Sequence, residues 1–308
     1  MPEPTPMAHP FDTAAYFESC AWLGRPVRVQ AASARVSTAL LRPWGEWQDA
    51  RGSWPYGSLP DASLLQGLAA LPERPLTWTG VIRPDDAPDR RAIEALQADW
   101  TLTARPMKPH LASLRGLPRP GHSARAAKRL DQAASRYRVE EESFTPEIAA
   151  FAAGVQHRLA GQRKIARNSS PDEMHFGHLC ALDSLRCFVL RARRSAEVAG
   201  VLLLLEAGGR VLHAHSSLVL EQVRLEGGAL LLWDEVLRLL DGEYDLWWGG
   251  EPAGAPGVFR FKQRFANHQA PAWIVCVELQ PGLLSMIRSR FRRHAWLPDY
   301  RDPALESA

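Results

Sequence analysis

Lysine is nearly missing from this sequence. Among 308 residues and 37 Lys and Arg, only Lys108, Lys128, Lys164 and Lys262 are lysine. The remainder are arginine, so chemistry that needs a compact ammonium has four candidates. Cysteine is scarce as well. Cys20, Cys180, Cys187 and Cys276 are scattered without a C-x-x-C pair, which argues against a disulfide framework and for reduced thiols in a cytoplasmic setting. No apolar run approaches the roughly 20 residues of a membrane span. The longest, 198–205, is interrupted by Ala199-Gly200. Residues 1–6 offer neither a basic flank nor an apolar segment, so no secretory signal is expected. Net charge is +3, too small to mark a dedicated nucleic-acid binder, and no DNA partner is expected. Also missing are G-x-S-x-G, H-E-x-x-H and G-x-x-x-x-G-K-[ST], which removes the serine-hydrolase elbow, the zincin helix and the P-loop. His175-x-x-His178 with Cys180 has no fourth ligand, so no metal is expected.

What is present is an ordinary globular composition, 46% hydrophobic and 23% charged, long enough for about two domains. In the first half, Asp12 is expected to cap a helix over 12–20 and Asp61 one over 61–70. Val27, Val29, Val36, Ala39 and Leu41 suggest short strands, and 76–82 and 100–105 two more. Helical spacing of Ile93, Leu96 and Trp100 predicts a helix over 85–100. The stretch 42–60 reads as a loop, and it carries Trp44, Trp47, Trp54 and Tyr56. These aromatics either pack down on the domain or face a substrate. A proline-rich connector over 105–121 leads to a basic helix over 123–136. Seven basic residues and one acid, Asp131, lie between Arg115 and Arg138, either a solvated face or a surface for an anionic ligand.

The second half reads more sharply. Helices are expected over 144–159, where Thr145 caps and Pro146 takes the first position, and over 173–185. Strands follow at 187–193 and 197–206. A two-residue hairpin at Gly208-Gly209 leads to a strand at 210–220. A helix over 227–240, a strand at 244–248, a short helix over 258–265, a strand at 273–279 and a helix over 283–294 complete the order. The whole is a mixed α/β layer.

Two local patterns carry chemistry. Arg224-Leu-Glu-Gly227-Gly228-Ala229 opens a helix after a strand. Glycines there let backbone N–H groups approach a phosphate, and the helix start adds partial positive charge. This R-x-x-G-x-A resembles the pyrophosphate-binding pattern of GNAT acyl-CoA transferases. Farther on, Asp245, Gly249-Gly250 and Phe261-Lys262-Gln263-Arg264-Phe265 resemble the FemAB-like branch of that superfamily. Leu231-Leu232-Trp233-Asp234-Glu235 resembles its apolar helix, Trp54-Pro55-Tyr56-Gly57 its Pro-Tyr-Gly loop, and the 123–138 segment its basic linking helix. The likeness is strongest over 144–281. No coiled-coil arm is inserted, which speaks against a peptidoglycan acceptor.

The resemblance implies two GNAT-like mixed-sheet halves facing each other across a cleft. Residues 1–10 would be a loose tail, 11–122 the N-terminal half and 123–308 the C-terminal half with the donor site. It implies an N-acyltransferase that moves an acyl group from acyl-CoA to a primary amine of a small molecule or peptide. Lys262 would stabilise the reacting carbonyl or the donor's leaving group, with Glu251 and His215 as further catalytic candidates. His213 and His215 alternate along one strand. Arg224, Gly227, Gly228, Ala229 and Arg264 would hold the donor's phosphates, and Trp54, Tyr56 and Trp248 would line the substrate path. Aminoacyl-tRNA is the alternative donor, favoured by the basic segments 115–138 and 288–294. A reading of another class is a non-catalytic binding protein that kept the fold.

Overall fold

The computed structural model describes residues 9–30, 36–44, 47–53, 56–82, 90–162, 171–240, 242–250 and 256–290. In chain order the elements are α1 (Ala14–Ser19), β1 (Arg25–Gln30), β2 (Val36–Trp44), β3 (Trp47–Arg51), α2 (Ala62–Ala69), β4 (Thr77–Ile82), α3 (Arg90–Asp99), β5 (Leu102–Ser113), α4 (Ala124–Arg136), β6 (Tyr137–Glu142), α5 (Pro146–Gln162), α6 (Glu173–Leu179), β7 (Leu185–Ala192), β8 (Val198–Ala207), β9 (Val211–Val219), α7 (Glu221–Leu225), α8 (Gly228–Leu239), β10 (Asp245–Gly249), α9 (Pro256–Lys262), β11 (His268–Glu278) and α10 (Pro281–Arg290). The fold is mixed α/β, as the order of elements implies.

Contacts divide the chain into two compact units. The N-terminal unit comprises Phe11–Met107 with Pro271–Ala308, and the central unit comprises Met1–Pro10 with Lys108–Ala270. Each draws on separated stretches of chain, whereas the sequence reading divides it linearly at 122/123.

In the N-terminal unit the strand order is β1-β2-β3-β4-β11. Its core holds Val29, Leu41, Leu65, Leu68, Trp78, Val275 and Val277. Burying each such side chain contributes about 1.5–3 kcal/mol. Asp61 caps α2 through Leu64 N at 2.7 Å. The cap of α1 differs from expectation. Thr13 accepts from Tyr16 N, while the Asp12 carboxylate takes the backbone N–H and hydroxyl of Ser58, at 3.2 and 2.6 Å. A tertiary partner has claimed the local cap. The aromatic stretch 42–60 is not all loop, because β3 runs through it and pairs with β2.

The central unit carries the order β5-β10-β9-β8-β7-β6. Neighbours are antiparallel except β9 and β10, which run parallel. A parallel pair needs a crossover, here supplied by α7 and α8. The apolar face of α8, with Leu230, Leu231, Trp233, Val236 and Leu237, packs into the main core. Three sequence expectations need correction in this unit. The proline connector begins late, because β5 continues to Ser113 and pairs with β10 at residues 111–113. The hairpin turn has three residues between the paired Ala207 and Val211, and Gly209 and Arg210 both adopt positive φ. The helix expected over 173–185 stops at Leu179. Strand β6 and helix α7 go beyond the sequence expectations.

Candidate active site

The parallel pairing of β9 and β10 covers only Val211–His213 against Asp245–Trp247. Beyond it each strand departs from regular pairing with its other neighbour. β10 has an irregularity against β5 between Trp247 and Gly249. β9 carries one against β8 near His215, where Ala214 and Ser216 face consecutive residues Leu204 and Leu203. Such bulges redirect side chains and often border functional sites.

At the end of β10 the backbone turns on Gly249, whose φ of +77° suits glycine. Gly250 follows with a close approach: a Cβ there would lie 2.6 Å from both Cδ2 and Nε2 of His110. The sequence therefore needs two glycines here for two separate reasons. Lys262, on the last turn of α9, donates from Nζ to the Gly250 carbonyl at 3.0 Å.

The placement of α9 follows from its aromatics. Phe265 is buried, and Phe261 and Phe265 both lie against Trp233, at 5.1 and 5.4 Å. Trp233 stacks on Trp248 at 4.1 Å. Ser113 on β5 fixes the group by accepting from Trp248 Nε1 at 2.7 Å and donating to the Phe265 carbonyl at 2.7 Å. Trp248 is thus a core residue.

Basic groups gather beside Gly250. Burial lowers the Lys262 ammonium to about 8. His110 is lowered to about 4, first by burial and then by the charges of Lys262 and His213. Sequence reasoning missed His110; its only signal was a histidine in an apolar run, His110-Leu-Ala, after two prolines. His213 is fully buried, with its ring 5.2 Å from that of His9. His215 turns elsewhere: it stacks on His175 at 5.1 Å, and its Nδ1 lies 2.9 Å from Ser216 Oγ. Burial holds it well below the usual histidine range, aided by His175. Lys262 therefore lies with His110, while His215 belongs to a separate buried pair.

The remaining candidates scatter. Glu251 and Trp54 lie outside the described residues. Tyr56 is buried in the N-terminal unit, 5.8 Å from Phe11. Arg264 is exposed on the turn after α9. In α6, His175 points inward and His178 outward, so this pair does not converge.

The Arg224–Ala229 turn has a different setting from the expected strand-to-helix junction. Arg224 is exposed in the last turn of α7. Gly227 has φ +95°, and a Cβ there would lie 3.2 Å from the Arg129 carbonyl of α4. At Gly228 a Cβ would meet Val223 at 2.4 Å. Both glycines thus have packing reasons. Arg129 also donates to the Leu225 carbonyl at 2.7 Å. Hydrogen bonds from Gln222, Tyr137 and Arg136 hold the neighbouring Glu226 carboxyl down at about 2, in an ion pair with Arg136 at 3.0 Å.

No family model matches the chain, and no curated protein matches it in sequence. Solved structures do match over nearly the whole length. FemX is 11% identical at TM-score 0.57, covering 91% of this chain and 95% of its own. The chain has the FemX fold. L-PGS from Bacillus licheniformis is 10% identical at TM-score 0.56, covering 90% of this chain and 92% of that one. The C-terminal domain of a protein assigned as a lysylphosphatidylglycerol synthetase from Agrobacterium fabrum is 11% identical at TM-score 0.55, with 91% coverage of each. The resemblance carried by Asp245, Gly249-Gly250 and the Phe261–Phe265 motif thus holds at the level of fold.

Proposed function

We propose that this protein is an acyltransferase in which Lys262 stabilises the negative oxygen that forms when a nucleophile attacks the donor carbonyl. The observation that carries this reading is the desolvated Lys262 ammonium, fixed 3.0 Å from the Gly250 carbonyl at the end of β10, in a fold shared with FemX. An acceptor amine adds to the carbonyl carbon, forming the C–N bond. The bond to the donor's oxygen or sulfur then breaks, and the amine proton passes to solvent or to the leaving group. A positioned donor at the oxyanion is worth about 10²–10³-fold in rate.

For the donor we favour an aminoacyl ester. A lysylphosphatidylglycerol synthetase, by its name, makes a lysyl compound. The packing of Gly227 against α4 also works against a diphosphate at that turn. Acyl-CoA remains the second reading, because no side chain caps the N-terminus of α8. Thermal shifts with acetyl-CoA and with aminoacylated tRNA decide between them. A ligand at 100 times its Kd adds about 2.7 kcal/mol of stability. Stabilisation by tRNA that weakens steeply with salt, together with transfer of labelled aminoacyl groups, supports the first. Stabilisation by acetyl-CoA alone overturns it. If neither ligand shifts the melt and no acyl group is transferred, a binding role without turnover takes the place of both.

A further inference from the structure

Lys262 is not alone above Gly250. The His110 ring lies edge-on against the same residue, with its Nε2 edge occupying the space a side chain would take. The two groups come from different elements, β5 and the end of α9. They are close enough for the charge on Lys262 to act on His110. The segments around β5 and the α9 turn are also tied together: Ser113 Oγ donates to the Phe265 carbonyl at 2.7 Å, and Leu114 N donates to Asn267 Oδ1 at 2.8 Å.

We propose that His110 and Lys262 form a two-donor seat for a substrate oxyanion beside Gly250, with the imidazole N–H as the second donor. The proposal rests on the reading that Lys262 meets the reacting carbonyl, and it names a second group for that task. With its titration lowered to about 4, the imidazole is uncharged near neutral pH. An uncharged imidazole still donates one N–H, and it adds no second full charge to repel the ammonium. Such an arrangement stabilises charge that develops on a tetrahedral oxygen while limiting the resting site to the single positive charge of Lys262.

The seat can be read without turnover by using methylphosphonate, a tetrahedral oxyanion shaped like an acetyl-transfer intermediate. The intact protein, labelled at its histidine rings, is titrated by NMR, with the His110 signal assigned from its loss in His110→Gln. Saturable binding should shift the His110 N–H. A hydrogen bond to a charged group is worth about 1.5–3 kcal/mol, so Lys262→Met and His110→Leu should each weaken binding by about 10–100-fold. His110→Gln, which keeps an N–H donor, should recover part of that loss. Ring signals of His175 and His215 serve as the internal check that each variant is folded. The proposal is overturned if methylphosphonate does not bind, if it binds without moving His110, or if folded His110→Leu binds as well as the parent. Binding through both groups with no acyl donor consumed would keep the seat and remove the acyltransferase reading. Transfer that is indifferent to His110 would do the reverse.

Discussion

At Lys262 burial and chemistry pull in opposite directions. Removing the ammonium from water lowers its titration to about 8, yet oxyanion stabilisation needs the charged form. Activity should therefore hold below pH 8 and fall as the pH rises through that value, because deprotonation removes the charge. A rate–pH profile under saturating donor checks this, and a profile flat to pH 10 would contradict it. Lys262→Arg keeps a cation at all these pH values but replaces a compact ammonium with a planar fork. It should lose the fall near pH 8 and still run at least about 10-fold slower, a smaller loss than the 10²–10³-fold that removing the donor outright costs. Gly250→Ala tests the neighbouring contact. Its Cβ would come within 2.6 Å of the His110 ring, so the ring or the Gly250 carbonyl must move. Overpacking of this kind costs about 1–3 kcal/mol. Urea unfolding should show that loss. An unchanged midpoint would mean that the contact is slack.

At the scale of elements, α8 was legible because its apolar spacing survives tertiary packing. The cap at Asp61 was legible because its partner, Leu64 N, lies only three residues along the chain. Asp12 failed as a cap because Ser58, distant in sequence, bonds to it. β5 was read too short because Pro106 and Pro109 look like breakers, although prolines survive in a strand where the ladder does not need their N–H. The Phe261–Phe265 motif was readable as a family resemblance, and its two rings prove to anchor the helix on Trp233. The partnership of Lys262 with His110 was not, because β5 and α9 meet only through the fold. Gly227 shows how a pattern can have two causes. Its positive φ, and the Arg129 carbonyl 3.2 Å from where a Cβ would stand, explain the glycine without any ligand. Gly227→Ala should cost about 1–3 kcal/mol from left-handed backbone strain, measured by chemical denaturation. Under the aminoacyl reading, folded Gly227→Ala keeps the parent's affinity for its donor. Loss of acetyl-CoA binding in that variant would restore the diphosphate role to the turn.

Histidine is distributed unevenly over the whole molecule. Nine of the ten lie among the described residues, and all nine fall in the central unit. Within the central unit His110, His175, His213 and His215 are all buried. Burial holds His110 at about 4 and His215 well below 6.5. The sign follows from proton counting. Below pH 6.5 the unfolded chain binds protons at His110 and His215 that the folded unit does not, down to about pH 4 for His110, so stability falls as the pH falls through that window. At about 1.4 kcal/mol per pKa unit, His110 alone accounts for roughly 3 kcal/mol of the loss. The carboxyl of Glu226, held near 2 by its hydrogen bonds, is lost as a favourable term only at lower pH, through a window from 4.5 downward. Acid unfolding should thus begin in the central unit near pH 6, driven by imidazoles, and the N-terminal unit should not share this first phase. Hydrogen exchange followed by mass spectrometry, corrected for the intrinsic pH dependence of exchange, resolves the two. The expected result at pH 5 is faster opening of β7–β9 peptides with β1–β4 peptides unchanged. Equal opening in both sets would show that the histidines do not govern acid stability. A His110→Gln variant, which removes one titrating group and keeps a polar side chain of similar size, should move the onset of that phase to lower pH.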